Sequence, residues 1–165
     1  MTNHSDADLC ERIVGQMAEA VIAADCNGRI RLWNRGAEII FGHPATEVLG
    51  ENLDLIIPEE LRQRHWEAYE LAMSTGRTRL GSRALPTKAI RKDGTTIYVE
   101  LSFAVLLNDN GATVGALGVA RDITERYKQQ KADRKRLAEL EEKVRVRSRS
   151  LGPATASQRR TGGVA

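Results

Sequence analysis

Three histidines and two cysteines are the side chains here best suited to ligand or redox chemistry, and their spacing decides what they can do. An imidazole can hydrogen-bond, move a proton or ligate a metal. His4, His43 and His65 fall in a polar start, a Gly-His-Pro turn and a helical stretch, with no metal-ligand spacing among them. Cys10 and Cys26 form no metal-spaced pair, and no Gly-rich phosphate loop is present. This set does not describe an enzyme. His65 is the residue to weigh. In Leu61-Arg62-Gln63-Arg64-His65-Trp66-Glu67-Ala68-Tyr69 it lies four residues from both Leu61 and Tyr69, so the three share one helix face. Far along the chain, Asp122 and Thr124 close a strand-like run, where either side chain suits the start of a helix and a carboxylate also suits its positive end.

The elements that must hold these residues follow from periodicity. Leu9, Ile13, Val14 and Met17 predict an amphipathic helix over Asp8 to Glu19. Ala20 to Ala24 reads as a strand, Asp25-Cys26-Asn27-Gly28 as a turn, and the alternation at Ile30 and Leu32 as a second strand. Asn34 opens a short helix to Phe41, and Thr46 to Gly50 gives another turn of helix. Pro58 starts a longer helix to about Ser74, with Gly76 as its stop. Strands are expected over Thr78 to Ile90, Thr96 to Leu107 and Thr113 to Ala120, joined by turns carrying Asp93-Gly94 and Asn110-Gly111. A last helix runs from about Thr124 to Arg147. The sum is an α+β chain with a five-stranded antiparallel sheet, short helices on one face, and flanking N-terminal and C-terminal helices.

At 165 residues, 41% apolar and 28% charged, the chain can bury one core and carry extensions. No apolar run approaches the roughly 20 residues that span a bilayer, and Met1 to Asp8 lacks the apolar core of a secretory signal. The expectation is a cytoplasmic protein with two plain thiols. The pI near 9.1 suggests nucleic acid, but the charge is local. Of the net +3, the segment from Arg145 onward holds five arginines and no acid, which leaves the rest at −2. A Gly, Ser, Pro and Arg tail of this kind reads as disordered and solvated, with no specific nucleic acid as partner.

Three segments in order add a family reading: Gly28-Arg29-Ile30-Arg31-Leu32-Trp33-Asn34, Arg91-Lys92-Asp93-Gly94 and Ala120-Arg121-Asp122-Ile123-Thr124. Together they resemble the PAS family of sensory modules from about Ile13 to about Tyr127. The resemblance implies a polar segment and helix start over residues 1–12, a PAS domain over 13–127, a signalling helix over 128–147 and a disordered basic tail over 148–165. It also implies a cavity between the sheet and the helices. Val99, Leu101, Phe103 and Val105 share one strand face, and on the last strand the larger set that includes Leu117 is expected to face in.

Two groups of haem-binding PAS domains, oxygen-sensing histidine kinases and oxygen-regulated cyclic-di-nucleotide phosphodiesterases, carry a stretch similar to Arg62-x-x-His65. In them that histidine ligates the iron, so the resemblance makes haem b the candidate cofactor and His65 its candidate metal ligand. Tyr69, Met73, Leu80, Leu101, Phe103 and Leu117 would line the pocket, and Arg79 could pair with a propionate. Where one group has an oxygen-holding arginine this chain has Leu85, and where the other has a methionine ligand it has Arg83. A flavin adduct is not expected, because Gly50 to Leu55 replaces the cysteine stretch of light-sensing relatives and Cys26 lies in an earlier turn.

Three readings remain. The chain is a sensory module that binds a small ligand or partner and relays the change through Asp122, Thr124 and the last helix. Alternatively it is a haem-based gas or redox sensor, or a ligand-free docking unit. A homodimer and a partner signalling protein are the expected associations.

Overall fold

The computed structural model describes residues 4–78 and 83–150. It divides after Thr124 into two units, the first holding the sheet and the second the last helix. In chain order the elements are helix α1 (His4–Gln16), strands β1 (Ala20–Asp25) and β2 (Ile30–Trp33), helices α2 (Arg35–Phe41) and α3 (Ala45–Val48), and a 3₁₀ turn (Leu53–Ile56). Helix α4 (Glu59–Thr75), strands β3 (Leu85–Ile90), β4 (Thr96–Leu107) and β5 (Thr113–Asp122), and helix α5 (Thr124–Ser150) follow.

The five strands form one antiparallel sheet in the order β2-β1-β5-β4-β3, in which the β1–β2 and β3–β4–β5 neighbours follow from the turns and β1 pairs with β5 across the chain. The inner face carries Ile22 and Ala24 on β1, Ile97 and Val99 on β4, and Ala116 and Ala120 on β5, packed with Phe41, Val48, Leu53 and Tyr69 from the helical side. No helix among the described residues is long and apolar enough to cross a membrane.

The β1–β2 turn shows how local chemistry sets register. Asp25 Oδ1 accepts from the backbone N–H of Asn27 at 3.0 Å and of Arg29 at 3.1 Å, while Gly28 takes a left-handed φ of 75°. The two long turns of the β3–β4–β5 meander likewise place Gly94 and Gly111 at positive φ.

Helix α1 starts at His4 rather than Asp8, β5 ends at Asp122 rather than Ala120, α5 runs to Ser150 rather than Arg147, and two further boundaries and one element also differ from expectation. Helix α1 stops at Gln16 because the Asn34 side chain draws in the carbonyls of Val14 and Glu19, turning the chain toward β1. Strand β3 is described from Leu85, where its ladder with β4 begins opposite Leu101, and Arg83 and the residue after it precede the strand. Residues 79–82 of the strand expected from Thr78 lie outside the described residues. The 3₁₀ turn was not anticipated; Asn52 Oδ1 caps it by accepting from Asp54 N at 2.8 Å.

Candidate functional site

Helix α4 begins after Pro58 with Glu59 and Glu60 in its first turn, where their charge favours the helix dipole. Its inward face carries buried Tyr69 and Ala72 and half-buried Met73. His65 lies one turn before Tyr69 on that face. Its imidazole meets the Trp66 indole edge-on, with ring centres 5.0 Å apart, and tilts against Tyr69 at 5.8 Å. The Tyr69 ring in turn stands edge-on to Phe103 of β4 at 6.0 Å. The Nε2 atom of His65 is shielded from solvent and has no hydrogen-bond partner among the described residues. An unpaired buried nitrogen costs about 1–3 kcal/mol, so it is a feature that needs a reason. Burial pushes the imidazole pKa down against an opposing pull from the Asp54 carboxylate, which favours the neutral ring with a free lone pair.

Neighbouring groups hold this turn of helix in place. Trp66 Nε1 donates to Asp54 Oδ1 at 2.8 Å, and Arg62 donates to the carbonyls of Ile57 and Asp54 at 3.2 and 3.1 Å. The outer edge of the indole abuts Gly28, where an added Cβ would come within 2.1 Å of Trp66 Cη2. The Tyr69 hydroxyl donates to the Asp25 carbonyl at 2.7 Å, and burial, aided by Asp25 and Cys26, pushes its pKa up to about 12. The β1–β2 turn and the 3₁₀ turn therefore brace the helix on either side of His65. Gly28→Ala is expected to lose about 2–4 kcal/mol, combining left-handed backbone strain with displacement of the indole. Urea unfolding checks this, and a loss below about 1 kcal/mol would mean that the ring moves aside freely.

The other expected lining residues divide into three sets. Leu85, Leu101 and Phe103 lie on the inner sheet face, Leu85 directly across the ladder from Leu101. Arg83 is exposed and precedes β3, and Arg79 and Leu80 lie outside the described residues. Leu117 is a correction. Leu101, Phe103 and Val105 pair with Ala120, Gly118 and Ala116, so the small residues of β5 face in, while Leu117 pairs with Ala104 and Ala23 on the opposite face. The sheet centre is thus shallow, and bulk comes from β4 and the helices. Asp54 and the Gly28 contact were missed by sequence reasoning; the Asn52-x-Asp54 spacing signals a turn but not its contact with Trp66.

At the exit from the sheet, Asp122 Oδ1 accepts from Thr124 N at 2.8 Å and from Thr124 Oγ1 at 2.6 Å. Its Oδ2 pairs with Arg91 Nη2 at 2.7 Å. Thr124 Oγ1 accepts from Tyr98 N at 3.0 Å, and Ile123 N donates to Tyr98 O at 2.9 Å. Burial alone would raise the Asp122 carboxyl pKa, but the hydrogen bonds from Thr124 and the Arg91 guanidinium outweigh it and hold the value below the usual range. No cluster of three or more His, Cys, Asp or Glu that could hold a metal ion is present among the described residues.

Known proteins share this fold. The model of the PAS fold matches residues 8–123. The sensor protein FixL of Bradyrhizobium diazoefficiens is 29% identical over 132 residues, covering 80% of this chain and 25% of FixL. The oxygen sensor protein DosP of Escherichia coli is 26% identical over 102 residues, 62% of this chain and 13% of DosP. The chain thus spans a quarter or less of these relatives. A PAS domain structure from Colwellia psychrerythraea superposes with a TM-score of 0.64 at 22% identity, covering 73% of this chain and 98% of that one. The family match ends at Ile123, within the Asp122–Thr124 junction, and the chain belongs to the PAS family of sensory domains.

Proposed function

We propose that this domain is a haem-based sensor of a diatomic gas or of redox state, in which His65 would hold the iron and the β5–α5 junction would be the output. One observation carries the reading: the shielded, unpaired Nε2 of a neutral imidazole on the helix face that meets the apolar sheet. The residues fit the group. Haem brings four equatorial nitrogens of its own, so it needs one protein nitrogen, apolar walls and little else. His65 supplies the nitrogen, and Leu85, Leu101 and Phe103 supply apolar wall. Similarity to the oxygen sensor DosP and the sensor FixL supports the same reading. When bound, haem would supply an iron able to take a gas or respond to redox change. The chain's own part is to hold the ring through Trp66 and Asp54, exclude water with Tyr69 and Phe103, and leave Leu85 as an apolar neighbour.

The test is titration of the purified chain with haem. A sharp Soret band saturating at one haem per chain, shifting on reduction and again with carbon monoxide, is the expected result. A broad unsaturable spectrum would refute it. The second reading, a ligand-free docking module, draws on the Tyr69 hydroxyl bond to Asp25 and the Tyr69–Phe103 contact, which fill space beside His65.

For the output, Asp122 is the residue to remove. Asp122→Ala is expected to cost about 1–2 kcal/mol through the lost cap and ion pair, and to speed amide exchange over the first turn of α5. Because its folded-state pKa is lowered, the stability Asp122 contributes is complete above the unfolded carboxyl pKa of about 4. It is lost as pH falls through the lower folded value. Unchanged exchange in Asp122→Ala would remove the junction from the relay.

A further inference from the structure

Three turns between strands carry a pair that can react with itself: Asn27-Gly28, Asp93-Gly94 and Asn110-Gly111. Glycine has no side chain to hinder its backbone nitrogen, so that nitrogen can attack the side chain before it. At Asn110 a bond would form from Gly111 N to Asn110 Cγ while Cγ–Nδ2 breaks, and ammonia would leave with the Gly111 amide proton. Water then opens the five-membered imide on either side of its nitrogen. One product is aspartate and the other is isoaspartate, whose side-chain carbon has entered the main chain. No oxidant or cofactor is consumed.

The three turns share one geometry. Each glycine has positive φ, and its N–H donates to the carbonyl three residues back: Gly28 to Asp25 at 2.8 Å, Gly94 to Arg91 at 2.9 Å and Gly111 to Asn108 at 2.9 Å. That bond must open and the backbone must swing before the nitrogen can attack, so the rate follows how firmly each turn is held. Gly28 is held from outside its turn. It is buried against the Trp66 ring, and its carbonyl accepts from Leu53 N at 3.1 Å. The Asp25 carbonyl that takes its N–H also accepts from the Tyr69 hydroxyl at 2.7 Å, and Arg31 grips Asp25 Oδ2 at 2.6 Å. Asp93 is exposed, but its Oδ1 accepts from Thr95 N at 2.8 Å, which keeps the carboxyl ionised and a poor electrophile.

Asn110 has neither protection. Asn110 and Gly111 are exposed, and no atom among the described residues lies within 4 Å of a Cβ placed on Gly111. Asn108 Oδ1 accepts from Asn110 N at 3.0 Å and Ala112 N at 2.9 Å, bonds that begin and end inside the turn. We propose that Asn110-Gly111 is a site of spontaneous covalent modification, where the folded domain converts Asn110 to aspartate and isoaspartate while packing keeps Asn27 intact. This inference stands apart from the haem reading and needs no ligand. The products place a new negative charge beside Asp109 at the tip of the β4–β5 hairpin, outside the core.

The test is ageing of the purified full chain in warm, mildly alkaline buffer. Peptide mapping by mass spectrometry and labelling by an isoaspartate-specific methyltransferase follow the products. The Asn110 peptide should gain one mass unit and accept the label at least about tenfold faster than the Asn27 peptide. In unfolding urea the two should convert at rates within about twofold of each other, because folding is what separates them. Asn110→Gln should remove the label from that turn. An Asn110 that stays intact in the folded chain, or an Asn27 that keeps pace with it, would overturn the inference. A gap that persists undiminished in urea would overturn the protective role of packing at Gly28.

Discussion

His65→Ala should abolish saturable haem binding while leaving a folded domain. The imidazole contributes ring contacts to Trp66 and Tyr69 but no hydrogen bond through Nε2. Removing it therefore costs about 1–2 kcal/mol of packing and relieves an unpaired buried nitrogen, which makes the net stability change small. Haem affinity behaves differently. Loss of a partner that merely orients a ligating histidine already weakens metal binding about 10–100-fold, so loss of the ligand itself should weaken it by more than about a hundredfold. Far-ultraviolet circular dichroism and urea unfolding check the fold, and haem titration checks the site. His65→Gly supplemented with free imidazole should regain part of the Soret band. Equal haem affinity in His65→Ala and the natural sequence would exclude the assigned ligand.

The largest stability loss is expected away from the site, at Asn34. This side chain is almost fully buried and makes four hydrogen bonds. Its Oδ1 accepts from Val21 N at 2.8 Å and Ala37 N at 2.9 Å, and its Nδ2 donates to Val14 O at 2.9 Å and Glu19 O at 3.0 Å. It thus caps α2, closes the last turn of α1 and anchors the start of β1. Gly36 lets the chain pass: an added Cβ there would come within 2.2 Å of Glu19 O. Asn34→Ala should cost about 3–4 kcal/mol, a helix cap plus the stranded backbone groups. Asn34→Ser keeps a cap acceptor for Ala37 but cannot reach both carbonyls, so it should recover only about 1 kcal/mol. Urea unfolding of the three proteins separates the two roles. Full recovery by serine would reduce Asn34 to a simple cap.

Much of the fold was legible because local and long-range signals agree in it. Strand β4 runs from Thr96 to Leu107 as its alternation predicts, between turns whose glycines adopt the required positive φ. The inward face of β5 was misread for a physical reason. Size suggested that Leu117 points into the core, but Gly118 sits opposite Phe103, and the sheet accommodates β4 bulk by making β5 small. The end of α1 depends on Asn34, 20 residues beyond Val14, and the Arg91–Asp122 pair spans 31 residues, so neither has a local signature. At the site, the helix face shared by His65 and Tyr69 could be read from i, i+4 spacing. The orphaned Nε2, the Asp54–Trp66 bond and the ring pressed on Gly28 depend on atoms brought together by folding, and no pattern in the chain encodes them directly.

In the proposed sensor, His65 gives its nitrogen to a haem iron. Resonance Raman spectroscopy of the reduced, haem-loaded chain tests it most directly, through the iron–histidine stretching band and its shift when histidine carries nitrogen-15. An isotope-sensitive band is expected in the natural sequence and is absent from His65→Ala. A saturably bound haem whose spectrum shows no such band, or the same band in both proteins, would contradict it.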